Sequence, residues 1–193
     1  MGYAISWLAV RDADAERLIA SLGLVATGQT TYFAESLFSG RRIASGWFVL
    51  AINMCSHAFV LPETLKRLTD LDEVVACSIE EHAMYSTAEL WRRGTEVWRL
   101  VHEAELDILH LAESGALPEQ FSSIRNEYFA SQAAKGGARS DTDYIFEIPL
   151  QTAKSVVGFK HDGSGVGDES FFVFSTEAAP IEGQPEKPRW KFW

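Results

Sequence analysis

Cysteine is scarce: the 193 residues hold two, Cys55 and Cys77, each inside an apolar run. Two thiols cannot build a disulfide framework, so both read as small buried hydrophobes of a protein kept in a reducing cytoplasm. Basic residues are also short, 17 Lys and Arg against 27 Asp and Glu, for a formal net charge of −10. That balance excludes nucleic acid as the expected partner and disfavours an anionic membrane surface. No apolar run approaches the roughly 18 residues of a membrane-spanning helix. Met1–Trp7 has no basic stretch before its apolar residues, so it does not read as a secretory leader. Catalytic signatures are missing as well. There is no Gly-x-Ser-x-Gly, no Cys-x-x-Cys and no His-Glu-x-x-His, so neither a nucleophile elbow nor a paired zinc-ligand motif is present. Gly163–Gly167 has phosphate-loop-like glycine spacing but does not join a strand to a helix start, so it reads as a flexible loop. No metal and no cofactor is predicted.

What is present is a core. Hydrophobic residues make up 47% of the chain and aromatics 12%, enough for one domain and too short for two. We place that domain at 1–176, followed by a Pro/Gly/Glu-rich, semi-ordered tail at 177–193 that ends in Trp190, Phe192 and Trp193. Tyr3–Val10 alternates as a strand, and Leu18, Ile19 and Leu22 form the stripe of a helix stopped at Gly23. Leu24–Phe33 reads as a strand broken near Gly28, and 35–45, with Gly40-Arg41-Arg42, as a loop. Trp47–Ile52 is apolar on both faces and should be a central strand covered on both sides. Pro62, Pro118 and Pro149 open helices, since a first-turn N–H has no partner to lose. Tyr144–Ile148 and Phe171–Phe174 read as strands.

Residues 73–113 read as an antiparallel meander. Residues 82–94 fit either a capped helix or a strand turning at Arg93-Gly94, with the strand favoured by its neighbours. A turn at Ala104-Glu105 would set His102 opposite Asp107, Leu100 opposite Leu109 and Trp98 opposite Leu111, apolar against apolar, with Arg99 opposite His110 on the other side. The fold class predicted is α+β: a mixed, largely antiparallel sheet with a central meander and three to four short helices, packed mainly on one face.

Charge is concentrated in that meander. Between Asp70 and Glu113 lie eleven acids and three arginines, eight of the ten net negative charges. Glu80, Glu81, Glu103, Glu105 and Asp107 are the acidic surface expected to bind a basic protein partner. The same charges also serve a solvated sheet that must avoid edge pairing. His82, His102 and His110 are the acid–base candidates of the alternative, a small-molecule enzyme: a carboxylate beside an imidazole orients it and raises its pKa. Cys55-x-His57 and Glu80-Glu81-His82 contain metal-ligand types without a second paired motif. Burial of Trp190, Phe192 and Trp193 would contribute roughly 1.5–3 kcal/mol each, so they should dock on the protein's own core or on a second copy. A structural homodimer is therefore a third reading.

Met1–Arg11, Asp143–Pro149 followed by Gly158–Asp162, and Glu81–Ser86 through to Val97–Arg99 resemble a family of uncharacterised bacterial proteins. The resemblance covers most of the chain. It implies a bacterial, cytosolic protein and carries over no catalytic residue. Small acidic α+β proteins of this kind include immunity proteins that neutralise toxins, which is an analogy of class only.

Overall fold

The computed structural model describes residues 2–162 and 170–176. Trp190, Phe192 and Trp193, the tail that carries them, and the glycine run 163–167 lie outside the described residues. Nine strands form one sheet: β1 Ala4–Arg11, β2 Val25–Thr31, β3 Phe38–Ile43, β4 Trp47–Ile52, β5 Val74–Glu80, β6 Tyr85–Arg92, β7 Thr95–Glu103, β8 Ala112–Gly115 and β9 Phe171–Ser175. Their order is β2-β9-β3-β4-β1-β5-β6-β7-β8, with neighbours antiparallel throughout. The helices are α1 Ala15–Ser21, α2 Pro62–Leu65, α3 Phe121–Ala134 and α4 Glu147–Val157. The architecture is the predicted α+β class, and no helix of the described chain is long and apolar enough to cross a membrane.

The helices pack on both faces of the sheet rather than mainly on one. Trp7, Val49, Cys77, Leu100, Ile148 and Phe159 belong to the core under α3 and α4. Leu8, Leu18, Leu50, Leu65, Ala76 and Trp91 belong to the core under α1 and α2. This two-sided burial explains why β1, β4 and β5 read as unbroken apolar runs. Residues 82–94 are a strand: β6 pairs with β5 on one side and β7 on the other, and Arg93-Gly94 turns with φ of +50° and +74°, the left-handed pair of a two-residue hairpin.

Three predicted elements differ. The loop assigned to 35–45 contains β3, whose Gly40 is required because a Cβ there would lie 2.5 Å from the Phe48 ring. Arg41, which made the segment look exposed, is buried over the Phe171 ring. Tyr144–Ile148 is not a strand: Tyr144–Phe146 turn the chain and Glu147-Ile148 begin α4, so Pro149 is the third residue of that helix and not its opener. Asp143 Oδ1 accepts the Phe146 N–H at 3.1 Å and Gln132 accepts the Tyr144 N–H at 2.7 Å, local bonds that outcompete a ladder. Finally, β7 and β8 pair Leu100 with Glu113 and Trp98 with Gly115. His102 therefore does not face Asp107, nor Arg99 His110. Asp107 closes its own turn by accepting the Leu109 N–H at 2.7 Å, and Leu109 and Leu111 reach the core from the loop instead of from a strand.

Candidate functional site at the acidic end of the sheet

The site follows from strand register. Glu80 ends β5 and pairs with Tyr85 at the start of β6, and Tyr85 pairs with Glu103 at the end of β7. Cross-strand partners point to the same face, so two carboxylates flank one phenol in a row. Alternation along β5 from Val74 and Ala76 puts that row on the α1/α2 face. Glu105, Ala83 of the β5–β6 turn and Cys55 of the loop after β4 complete a depression of about 330 Å³. The Cys55 loop is tied to the sheet by Ser6, whose hydroxyl donates to Met54 O at 2.9 Å. Ser56 and Met84, beside Cys55 and Tyr85, hold left-handed φ of +50° and +48°, an uncommon state for residues with side chains.

Burial pushes the Tyr85 phenol up; a Ser56 hydrogen bond and the Arg99 charge oppose this, and the Glu103 charge adds to it. Burial likewise raises the Cys55 thiol, with Glu80 contributing. Both groups are therefore neutral at neutral pH, and Cys55 is a poor nucleophile. The charge of the pocket comes from Glu80, Glu103 and Glu105. Among the described residues no Lys or Arg forms an ion pair with any of the three; Glu80 alone has a partner, His82, at 3.0 Å.

The opposite end of the same strands is different. There Glu73 accepts from Arg92 at 2.7 Å and Arg11 at 3.2 Å, and Asp72 from Arg93 at 2.9 Å. Burial alone would raise the Glu73 carboxyl, but the two arginines outweigh it and hold it below its ordinary value. Elsewhere in the meander Glu89 is buried and accepts the Trp91 indole N–H at 2.7 Å; burial raises its pKa.

Of the five acids expected to form one surface, the structure gathers Glu80, Glu103 and Glu105. Asp107 is occupied by its own turn. Glu81 points away, accepting the Tyr3 N–H at 2.8 Å and pairing with His161 at 3.0 Å. Burial would raise the Glu81 carboxyl, yet those two bonds lower it. The three histidines are dispersed. His82 is exposed beside Glu80. His110 Nδ1 accepts the Glu103 N–H at 3.0 Å. His102 is fully buried on the α3/α4 face, with Nδ1 2.7 Å from His110 O and Nε2 2.8 Å from Asp143 Oδ2. Both of its ring nitrogens are committed, so it acts as a clasp between β7 and the approach to α4. His57 is likewise structural: its Nδ1 accepts the Phe59 N–H at 3.1 Å, and burial lowers its pKa. Among the described residues no group of three or more His, Cys, Asp and Glu is placed to hold a metal ion.

Sequence reasoning missed Tyr85 and Cys55. The signal for Tyr85 was available, because a strand over 85–92 returning from a short turn fixes the pairing of Glu80 with Tyr85. Cys55 carried no such signal, since its position depends on a loop crossing from β4. Comparison with family models, with curated proteins and with solved structures gives no match. The resemblance read in the sequence therefore carries nothing into the functional argument.

Proposed function

We propose that the protein is a non-catalytic binding module that receives a Lys or Arg side chain of a basic protein partner in the pocket of Glu80, Glu103 and Glu105. The observation that carries this reading is the convergence of three carboxylates on one depression with no Lys or Arg ion-paired to them among the described residues. A guanidinium or ammonium supplied from outside would complete it, and the pocket's Ala83 and Tyr85 offer apolar surface to the aliphatic stem of such a side chain. Met54 and Leu106, next in sequence to Cys55 and Glu105, are half or more exposed and give a partner apolar contact around the charged centre. Free Cys55 and Cys77 agree with a reducing compartment, and an immunity- or inhibitor-like role fits a module of this chemistry.

Binding is favoured over catalysis by the state of the groups present. The thiol is neutral, His102 has both nitrogens engaged, and His82 is exposed and outside the pocket wall. The test is calorimetric titration with an arginine-rich peptide at rising salt. The affinity should fall by about tenfold or more between 50 and 300 mM salt, because partly exposed charges are screened. An affinity independent of salt contradicts the proposal.

A further inference from the structure

The other end of the meander holds a second charged depression, of about 440 Å³, lined by Arg11, Asp72, Glu73, Arg92 and Arg93. Register builds it. Val10 pairs with Val74 and Val74 with Trp91, so the next residues outward, Arg11, Glu73 and Arg92, form one row across the ends of β1, β5 and β6. Glu73 sits in the middle and accepts from both neighbours: from Arg11 Nε at 3.3 Å and Nη2 at 3.2 Å, and from Arg92 Nη2 at 2.7 Å. Arg11 is steadied a second time, its guanidinium carbon 4.2 Å from the centre of the Trp47 ring, its cross-strand partner on β4. The hairpin tip is fixed as well. The Arg93 N–H donates to Leu71 O at 3.2 Å, and a Cβ on Gly94 would lie 2.4 Å from Lys66 O. These groups are held in place before any ligand arrives.

We infer that this depression is an oxyanion site, in which the guanidiniums of Arg11 and Arg92, oriented by Glu73, receive a phosphate group, free or carried by a small molecule. Charge is the first argument. Three arginines face two carboxylates in the lining, an excess of one positive charge in a chain whose net charge is −10. Spare donors are the second. Arg92 engages only Nη2 on Glu73, and Arg11 only Nε and Nη2. The Nη1 donors of both therefore make no protein hydrogen bond among the described residues, and both side chains are half exposed, at 56% and 51%. A phosphate group presents three oxygens, enough for two guanidinium forks at once, while a carboxylate has two. The volume admits a phosphate and the group that carries it. An excess of one charge suits one oxyanion and not a polyanion such as nucleic acid. The inference is independent of the acidic pocket.

The experiment titrates inorganic phosphate into the full, nitrogen-15-labelled chain at neutral pH. Chloride is withdrawn in step to hold ionic strength constant, and the arginine side-chain N–H signals are followed by NMR. The signals of Arg11 and Arg92 should move along one saturating curve. That of Arg125, comparably exposed and paired with Glu113, should not. Arg92→Gln should weaken binding about tenfold, and Arg92→Lys, which keeps the charge and loses the fork, about threefold. Asp72→Asn, which frees Arg93, should tighten it about threefold. Glu127→Gln makes the same charge change at an exposed acid of α3 outside the depression and should leave affinity within about 1.5-fold, because distant charges are screened. Phenyl phosphate, run beside phosphate, distinguishes the two sources: tighter binding points to a carried phosphoryl group, equal binding to free phosphate. Shifts that do not saturate, or that are as large at Arg125, would overturn the inference. So would unchanged affinity in Arg92→Gln, or acetate binding as tightly as phosphate. A gain from Glu127→Gln equal to that from Asp72→Asn would also overturn it, because net charge and not this depression would then hold the anion.

Discussion

The two ends of the β5–β6–β7 meander carry similar acids and use them differently. At one end Asp72 and Glu73 are held by Arg93, Arg92 and Arg11. At the other, Glu80, Glu103 and Glu105 share a depression with no arginine or lysine among the described residues. Charge density in the sequence does not distinguish them; partners do. A carboxylate with its own arginine is part of the structure, while carboxylates lining a depression without one are left for a cation from outside. The open end is held by buried groups behind it. Ser86 donates to Phe146 O at 2.7 Å, and His102 is clasped by Asp143 and the His110 carbonyl.

The largest effect should come from that clasp. His102→Ala removes one partner of a fully buried pair and leaves Asp143 without it, which should cost about 3–5 kcal/mol and lower Tm by roughly 10 °C or more, read by thermal melts. A loss under about 1 kcal/mol would mean that the open end is held some other way. Next comes the paired end. Glu73→Gln gives up two arginine contacts and should cost about 1 kcal/mol at pH 7. The Glu73 pKa is depressed in the folded state. Its contribution is therefore full above the unfolded value, near 4.3, and lost as pH falls through the lower folded one. The gap between wild type and Glu73→Gln should accordingly close below about pH 4.

Glu89 runs the other way. Its folded pKa is raised, so the protonated form is favoured by folding. Its contribution is complete below the unfolded value and lost as pH rises through the folded one. Glu89→Gln keeps an acceptor for the Trp91 indole and should therefore be more stable than wild type at pH 8, with the advantage shrinking toward pH 4; chemical denaturation at the two pH values reads it. The smallest effect belongs to the open end itself. Glu103→Gln/Glu105→Gln should leave stability unchanged or raise it by about 0.5 kcal/mol, since no ion pair is broken. A loss as large as that of Glu73→Gln would erase the contrast between the two ends.

Most of the sheet was legible, because strands covered on both faces advertise themselves. Trp47–Ile52 and Val74–Ile79 are apolar at nearly every position, and Arg93-Gly94 marks its own hairpin. β3 was not legible, because Ser39-Gly40-Arg41-Arg42 is polar in composition yet buried through Arg41 by a ring on a distant strand. The β7–β8 register was misread for a related reason. Leu109 and Leu111 match Leu100 and Trp98 as apolar partners, but a loop can bury them equally well, and Asp107 and His110 supply its local hydrogen bonds. The acids of the site could be named from sequence. Their sorting into open and paired could not, since Glu73 meets Arg11 from β1 and His102 meets Asp143 from 41 residues away.

The central claim is that position, not net charge, makes the acidic end a binding site. Two double variants with the same change in charge test it: Glu103→Lys/Glu105→Lys at the open end and Asp72→Lys/Glu73→Lys at the paired end. Their affinities for one arginine-rich peptide, measured by calorimetry at fixed salt, decide the matter. The account predicts a loss of about tenfold or more, some 1.4 kcal/mol, for the first and less than about twofold for the second. Equal losses for both variants, or none for the first, would contradict it.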